Sequence, residues 1–421
     1  MQLFDQSAKP IAVYHPIMAI THARVIDVIS KSILGDAVIL IEQGKIQSVG
    51  KFSEVHIPKD AFILDAKGKT VLPGLWDMHA HFEQAEWGPA YLAAGVTTVR
   101  DCGNEFNYIN AIQKYINEAS GVGPNILKAG IIDGKGPYAL GIVQANTQEE
   151  AIRAVHMYKD NGFVQIKIYS SVKPTTLKII CSKAHDLGMT VTGHIPMGMN
   201  LEQAVDSGMD MVNHIQYVYD ILKKNKSTGE VNFSDTENVA VIHFLKDHHI
   251  VIDPTLGVFE LIFRSTKEDI TVMEPNFNSL PEPLKPLFIT TGTSSPQAIA
   301  RGKLRMKTFM DIVNALNKNG ITLVAGTDMG FPGFSVFREI ELYVASGLTP
   351  MEAIQTATII PARVMNQASI LGSIEAGKKA DLILIDGDPL ENIRNIRQVS
   401  QVIKDGKLYD PSALHKMAGF N

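Results

Sequence analysis

VLPGLWDMHAHF (residues 71–82) reads as an apolar strand that ends in two histidines, His79 and His81, at i and i+2. Strand side chains alternate between faces, so this spacing points both imidazoles the same way. Further apolar runs follow along the chain: GVTTVRDCG, NILKAGIID, FVQIKIYSS, MTVTGHIP, MDMVNHIQY, HIVIDPTLG and ITLVAGTDMG. Helical patterns lie between them, such as TQEEAIRAVHMYKDNG and LEQAVDSG, the latter stopping at a glycine. Eight strands alternating with helices over about 300 residues predict an α/β fold of the (β/α)8 TIM-barrel class. A doubly wound open sheet is the competing arrangement, but no G-x-G-x-x-G follows a strand here.

The flanks read differently. IMAITHARVID, AVILIEQGKIQSVG and AFILDAKGKTVLPG are β-branched runs broken by turns, and the pattern returns only in ADLILIDGD and VSQVIKDGKLYD. This predicts a small β-sandwich built from residues 1–72 and 373–421, with the barrel spanning 73–372. One stretch breaks the barrel rhythm. Residues 265–296 carry Pro275, Pro281, Pro283, Pro286 and Pro296, and read as a loop over the barrel mouth.

Composition narrows the function. With 45% hydrophobic and 20% charged residues and a net charge of −5, the chain is an ordinary globular protein without the basic footprint of a nucleic-acid binder. The run Lys223-Lys224-Asn225-Lys226 reads as a solvated surface segment. Cys102 and Cys181, the two cysteines, lie in apolar segments and read as buried structural thiols, so no disulfide framework is expected. No apolar run reaches membrane-spanning length, and residues 1–14 lack the apolar core of a signal peptide. The expectation is a cytoplasmic protein, or an exported one whose leader has been removed.

The ionisable residues carry the chemistry. Lys167 lies inside the strand VQIKIY, His194 ends the fifth strand, His214 the sixth and Asp328 the eighth. In a (β/α)8 barrel the C-terminal strand ends converge on one face, where catalytic residues sit. A lone histidine is more often a hydrogen-bonded core residue than a ligand, and His22, His156, His185 and His243 are read that way. His248 and His249 precede the seventh strand and belong nearer the opposite face. Four histidines and an aspartate at successive strand ends point instead to metal ligation. A buried lysine must be paired or neutral. For Lys167 that means a salt bridge, to Asp101 or Glu339, or a neutral amine that takes up CO2 as a carbamate.

Taken together, VLPGLWDMHAHF, GVTTVRDCG, TGHIP, VNHIQY, AGTDMG, ASGLTPMEAIQTATIIPARVMN and GSIEAGKKADLILIDGDPLENI resemble the amidohydrolase superfamily. The likeness is to its imidazolonepropionase-like and prolidase-like dipeptidase branch, over nearly the whole chain. The resemblance implies two divalent metal ions, Zn2+ by default, although Mn, Fe, Co or Ni suit the same donors. His79, His81 and Asp328 would hold the more buried ion, and His194 and His214 the more exposed one. Carboxylated Lys167 and a hydroxide would bridge them. The implied reaction is attack of that hydroxide on the amide of a dipeptide-like or N-acyl amino acid substrate, with Asp328 moving the proton. A lactone, cyclic amide or imide, or phosphotriester is the alternative substrate.

Tyr169 shares a strand face with Lys167 and is a candidate hydrogen-bond donor to the substrate carbonyl. Tyr217 and Tyr219, after His214, are similar candidates. Arg100 and Arg338 are candidates to bind a substrate carboxylate, or else structural ion-pair partners. The loop DGKGPYALG (133–141) lacks the Gly-Gly-His run of the basic-residue dipeptidases, which leaves an Arg or Lys preference without support. Homo-oligomers are common among such proteins, an analogy rather than a reading of residues.

Overall fold

The computed structural model describes residues 11–118, 121–139, 142–226, 228–328 and 331–420. A strand forms within each of the eight apolar runs of the middle of the chain: β1 (Leu75–Ala80), β2 (Val96–Asp101), β3 (Asn125–Asp133), β4 (Gln165–Ile168), β5 (Thr190–Gly193), β6 (Met211–Asn213), β7 (Val251–Asp253) and β8 (Thr322–Leu323). They pair in chain order, every pair parallel. The sheet curls until its ends meet. Met78 N–H donates to the Ala325 carbonyl at 2.8 Å, and Asp328 N–H to the His79 carbonyl at 2.7 Å. The chain just beyond β8 therefore lies against β1, and Asp328 comes to rest beside His79.

The connecting helices form where capping and periodicity agree. Gln148–Asp160 opens with a reciprocal capping box between Thr147 and Glu150 and buries Ala151, Ala154, Val155 and Tyr158 on one face. Leu201–Asp206 repeats the device with Asn200 and Gln203.

Among the described residues, both flanking segments of the chain enter a second, nine-stranded sheet. Its central seam pairs Lys69–Pro73 antiparallel with Leu382–Asp386, joining residues far apart in the sequence. Met18, Ile20, Ile39, Val71, Leu382 and Ile403 form an apolar cluster of its own within it.

The Pro-rich insertion is more ordered than a loop. It holds short 3-10 turns at Ile270–Val272 and Phe277–Ser279 and a helix at Lys285–Thr290. Pro286 and Pro296 sit in the first turns of helices, where the missing N–H costs nothing. Buried Phe288 stacks on Phe331 at 3.7 Å, and buried Glu274 pairs with Arg397 at 2.9 Å. The insertion thus packs beside the segment that follows Asp328.

His22, His156, His185 and His243 are exposed rather than in the core. Where polar partners form they are at the surface: His22 with Asp36 and His185 with Asp210. Cys102 and Cys181 are free and buried. Among the described residues no helix is long and apolar enough to cross a membrane.

Candidate metal centre

Three of the groups meet around the Asp328 carboxylate. Its Oδ1 lies 3.1 Å from His81 Nε2 and 3.4 Å from His79 Nε2, and its Oδ2 is 3.7 Å from His214 Nε2. His214 Nε2 faces His194 Nε2 at 3.1 Å, and Lys167 Nζ lies 3.5 Å from His79 Nε2. All six groups at the strand ends therefore join one continuous cluster. Within it, ligand atoms of His79, His81 and Asp328 lie within 4.8 Å of one another. Two imidazoles and a carboxylate at that spacing suit a divalent ion such as zinc, so this donor set fits a metal.

Backbone geometry aims these side chains. His214 and Asp328 both adopt left-handed conformations, at φ 72° and 47°. Such φ values are uncommon outside glycine and here turn each side chain back over the strand ends.

A second layer orients the rings. His81 Nδ1–H donates to the Gly103 carbonyl at 2.9 Å, and His79 Nδ1–H to Asp253 Oδ2 at 2.8 Å. A carbonyl and a carboxylate only accept, so each ring in its neutral form keeps an Nε2 lone pair facing the cluster, while protonated His81 donates from Nε2 to Asp328 Oδ1 at 3.1 Å. The partners of the other two rings are hydroxyls: Ser170 Oγ at 3.4 Å from His194 Nδ1, and Thr255 Oγ1 at 2.8 Å from His214 Nδ1. Asp253 is a hub. Besides His79 it accepts from Asn213 at 2.7 Å and from Arg100 at 3.1 Å, while Asn213 Oδ1 accepts from Lys167 Nζ at 2.6 Å.

Electrostatics keeps most of these rings neutral. Burial, reinforced by the nearby Lys167 charge, holds the His79 and His194 imidazoles well below the usual range. Burial also pulls His214 down to about 4 against the attraction of Asp328. For His81 burial works the same way, but the hydrogen bond and charge of Asp328 overcome it and raise the imidazole above its ordinary value. Burial opposes ionisation of Asp328, yet the His81 hydrogen bond and the neighbouring cations hold its carboxyl below the usual range. Burial lowers Lys167.

These shifts set a pH dependence for the metal-free protein. His79, His194 and His214 bind protons more weakly folded than unfolded, so stability falls as pH drops from the unfolded histidine value through the folded one. For His214 the loss is about 2 kcal/mol by pH 5. His81 has the opposite sign and offsets part of this. Urea unfolding of chelator-treated protein at pH 7 and pH 5 should show the lower midpoint at pH 5; an unchanged or higher midpoint contradicts the neutral cluster.

Gly326 makes room for the centre. A Cβ there would stand 2.3 Å from Asp253 Oδ1 and 2.7 Å from His79 Cβ. Gly326→Ala must push that pair apart, and is expected to cost about 1–3 kcal/mol and to lower metal content. Wild-type melting and metal content would show that the backbone yields instead.

The other sequence candidates divide. The Tyr169 ring lies 4.6 Å from the His194 ring and under Lys167 Nζ at 5.4 Å, and the Tyr217 ring lies 6.2 Å from His194. Both border the cluster. Tyr219 does not: it packs on Phe309 between Lys224 and Arg305. Arg100 is fully buried and committed to Asp253, Gln165 and the Met78 carbonyl, which removes it as a substrate contact. Arg338 is held by Glu260 and Glu341. Lys167 donates to Asn213 rather than to the salt-bridge partners read from the sequence. Asp101 accepts from Phe82 and Gly103, and Glu339 from Leu256 and Gly257. The loop at 133–141 lies partly outside the described residues. Asn213, Asp253 and Thr255 escaped the sequence reading; polar side chains at the ends of apolar strands were the available signal.

The pattern of the amidohydrolase family matches residues 70–409, and the chain belongs to that family. It is a hydrolase acting on C–N bonds. Ochratoxinase of Aspergillus niger is 25% identical over 448 residues, covering 89% of this chain and 83% of its own. Imidazolonepropionase of Alkaliphilus oremlandii is 22% identical, covering 90% and 89%. The crystal structure of a Xaa-Pro dipeptidase with methionine bound in its active site superposes with a TM-score of 0.72 at 25% identity, covering 94% of this chain and 100% of that one.

Proposed function

We propose that this chain is a binuclear metal-dependent amidohydrolase that cleaves the amide bond of a dipeptide-like or N-acyl amino acid substrate. In this reading the curled parallel sheet is a (β/α)8 barrel over residues 73–372, flanked by a sandwich of residues 1–72 and 373–421. The observation that carries it is the continuous cluster of His79, His81, Lys167, His194, His214 and Asp328, with Asp328 between the two histidine pairs. The likeness to a Xaa-Pro dipeptidase supports the substrate class.

His79, His81 and Asp328 would hold one ion, His194 and His214 the second, with carboxylated Lys167 between them. Two divalent ions there, zinc by donor chemistry, would supply a lowered water pKa and polarisation of the scissile carbonyl. The protein's own groups do the rest. Asp328, kept ionised by His81, is the base placed to take a proton from the attacking water and pass it to the leaving nitrogen. Burial raises the Tyr169 phenol, so it stays protonated and can donate a hydrogen bond to the carbonyl oxygen.

The test is metal analysis of protein purified without chelator, with a panel of dipeptides, N-acyl amino acids, lactones and cyclic amides. About two ions per chain and turnover of a linear amide are expected. Turnover of lactones alone would overturn the substrate; metal well below one ion per chain, with no activity after reconstitution, would overturn the centre.

A further inference from the structure

Thr255 stands at the N-cap of the helix Leu256–Phe263, the position where a threonine hydroxyl ordinarily accepts from a backbone N–H of the first turn. It makes no such bond. Its backbone is left-handed, at φ 50° and ψ 48°, a conformation that is an outlier for a β-branched residue. Its buried hydroxyl turns instead to His214 Nδ1 at 2.8 Å. The capping role has passed to another helix. Fully buried Glu339, on Phe334–Ala345, accepts from Leu256 N–H at 2.8 Å and from Gly257 N–H at 2.7 Å. Glu339 thereby satisfies the helix start that Thr255 has left, and pins the two residues that follow the strained one.

We infer that Thr255, released from capping by Glu339 and locked in a left-handed conformation, is the positioning residue that fixes the His214 tautomer. In this arrangement Nδ1–H donates to Thr255 Oγ1 and the Nε2 lone pair faces His194 and Asp328. The consequence for metal binding rests on the proposed function, since it takes His214 as a ligand through Nε2; the tautomer itself does not. Partners of this kind are typically worth roughly 10–100-fold in metal affinity.

Two readouts separate the cases. Nitrogen-15 NMR of metal-free wild-type protein should show the His214 proton on Nδ1, and a proton on Nε2 would overturn the inference whether or not the protein binds metal. Zn2+ titration of Thr255→Val, Thr255→Gly and Thr255→Ser supplies the second. Val keeps the shape without the hydroxyl, and Gly adopts the same φ without strain, so a folded hydroxyl-free variant is secured. Both should weaken one of the two ions roughly 10–100-fold and leave the other unchanged, while Ser stays within about threefold of wild type. Wild-type binding of both ions in Val and Gly would overturn the inference. No metal bound by wild-type protein would overturn the proposed centre and leave the tautomer result standing.

Discussion

Asp328→Asn is expected to lower kcat for amide hydrolysis by roughly 10²–10⁴-fold, the range for loss of a positioned acid–base group. Asparagine is nearly isosteric and tolerates the left-handed backbone at φ 47°, so the segment should keep its path. Its Oδ1 can still accept from His81 at the 3.1 Å contact, but the side chain cannot carry a proton. The variant should therefore fold like wild type and lose the acidic limb of its pH–rate profile, the limb on which Asp328 must be ionised. Weaker metal binding is a second expected effect, because a neutral amide is a poorer ligand than a carboxylate. Measuring kcat at saturating metal separates the two, and a kcat within tenfold of wild type there would remove Asp328 from proton transfer.

Lys167→Ala should abolish amide hydrolysis and reduce metal from about two ions per chain to one or none. Lys167 is fully buried, burial lowers its amine, and among the described residues its Nζ reaches His79 Nε2 and Asn213 Oδ1 with no acidic hydrogen-bond partner. An amine so placed is costly to keep charged, and neutrality is what uptake of CO2 requires. The resulting carbamate would turn a cation among four histidines into an anion with two ligand oxygens. Lys167→Met fills the same space and should lose metal equally, which separates the ligand role from packing. A carbonyl signal from wild-type protein equilibrated with 13C-bicarbonate is the direct observation. Unchanged metal content in both variants would rule out the bridging role.

The strand pattern was legible because burial imposes it. Each of the eight apolar runs contains a strand, and the capping boxes at Thr147 and Asn200 start helices where their spacing says. The ligand candidates were legible for the same reason: an ionisable residue at the end of an apolar strand costs free energy unless it is used. The Pro-rich insertion, read as a loop, also carries short helical turns: Pro286 and Pro296 sit in helix first turns, and Phe277 and Phe288 pack against Phe331. Arg100 was open to either reading, because only the fold shows that its guanidinium reaches Asp253 rather than the site.

By itself, then, the sequence determined the parallel strands, the family and the side chains that meet at their C-terminal ends, because periodicity and burial act locally along the chain. Tertiary structure alone decided how those side chains are held. The Asp253 hub, the Asn213 contact to Lys167 and the Glu339–Thr255 support of His214 join residues 40 to 174 positions apart. Partnerships of that kind depend on the closing of the sheet and the left-handed turns at His214, Thr255 and Asp328, and no local pattern encodes them.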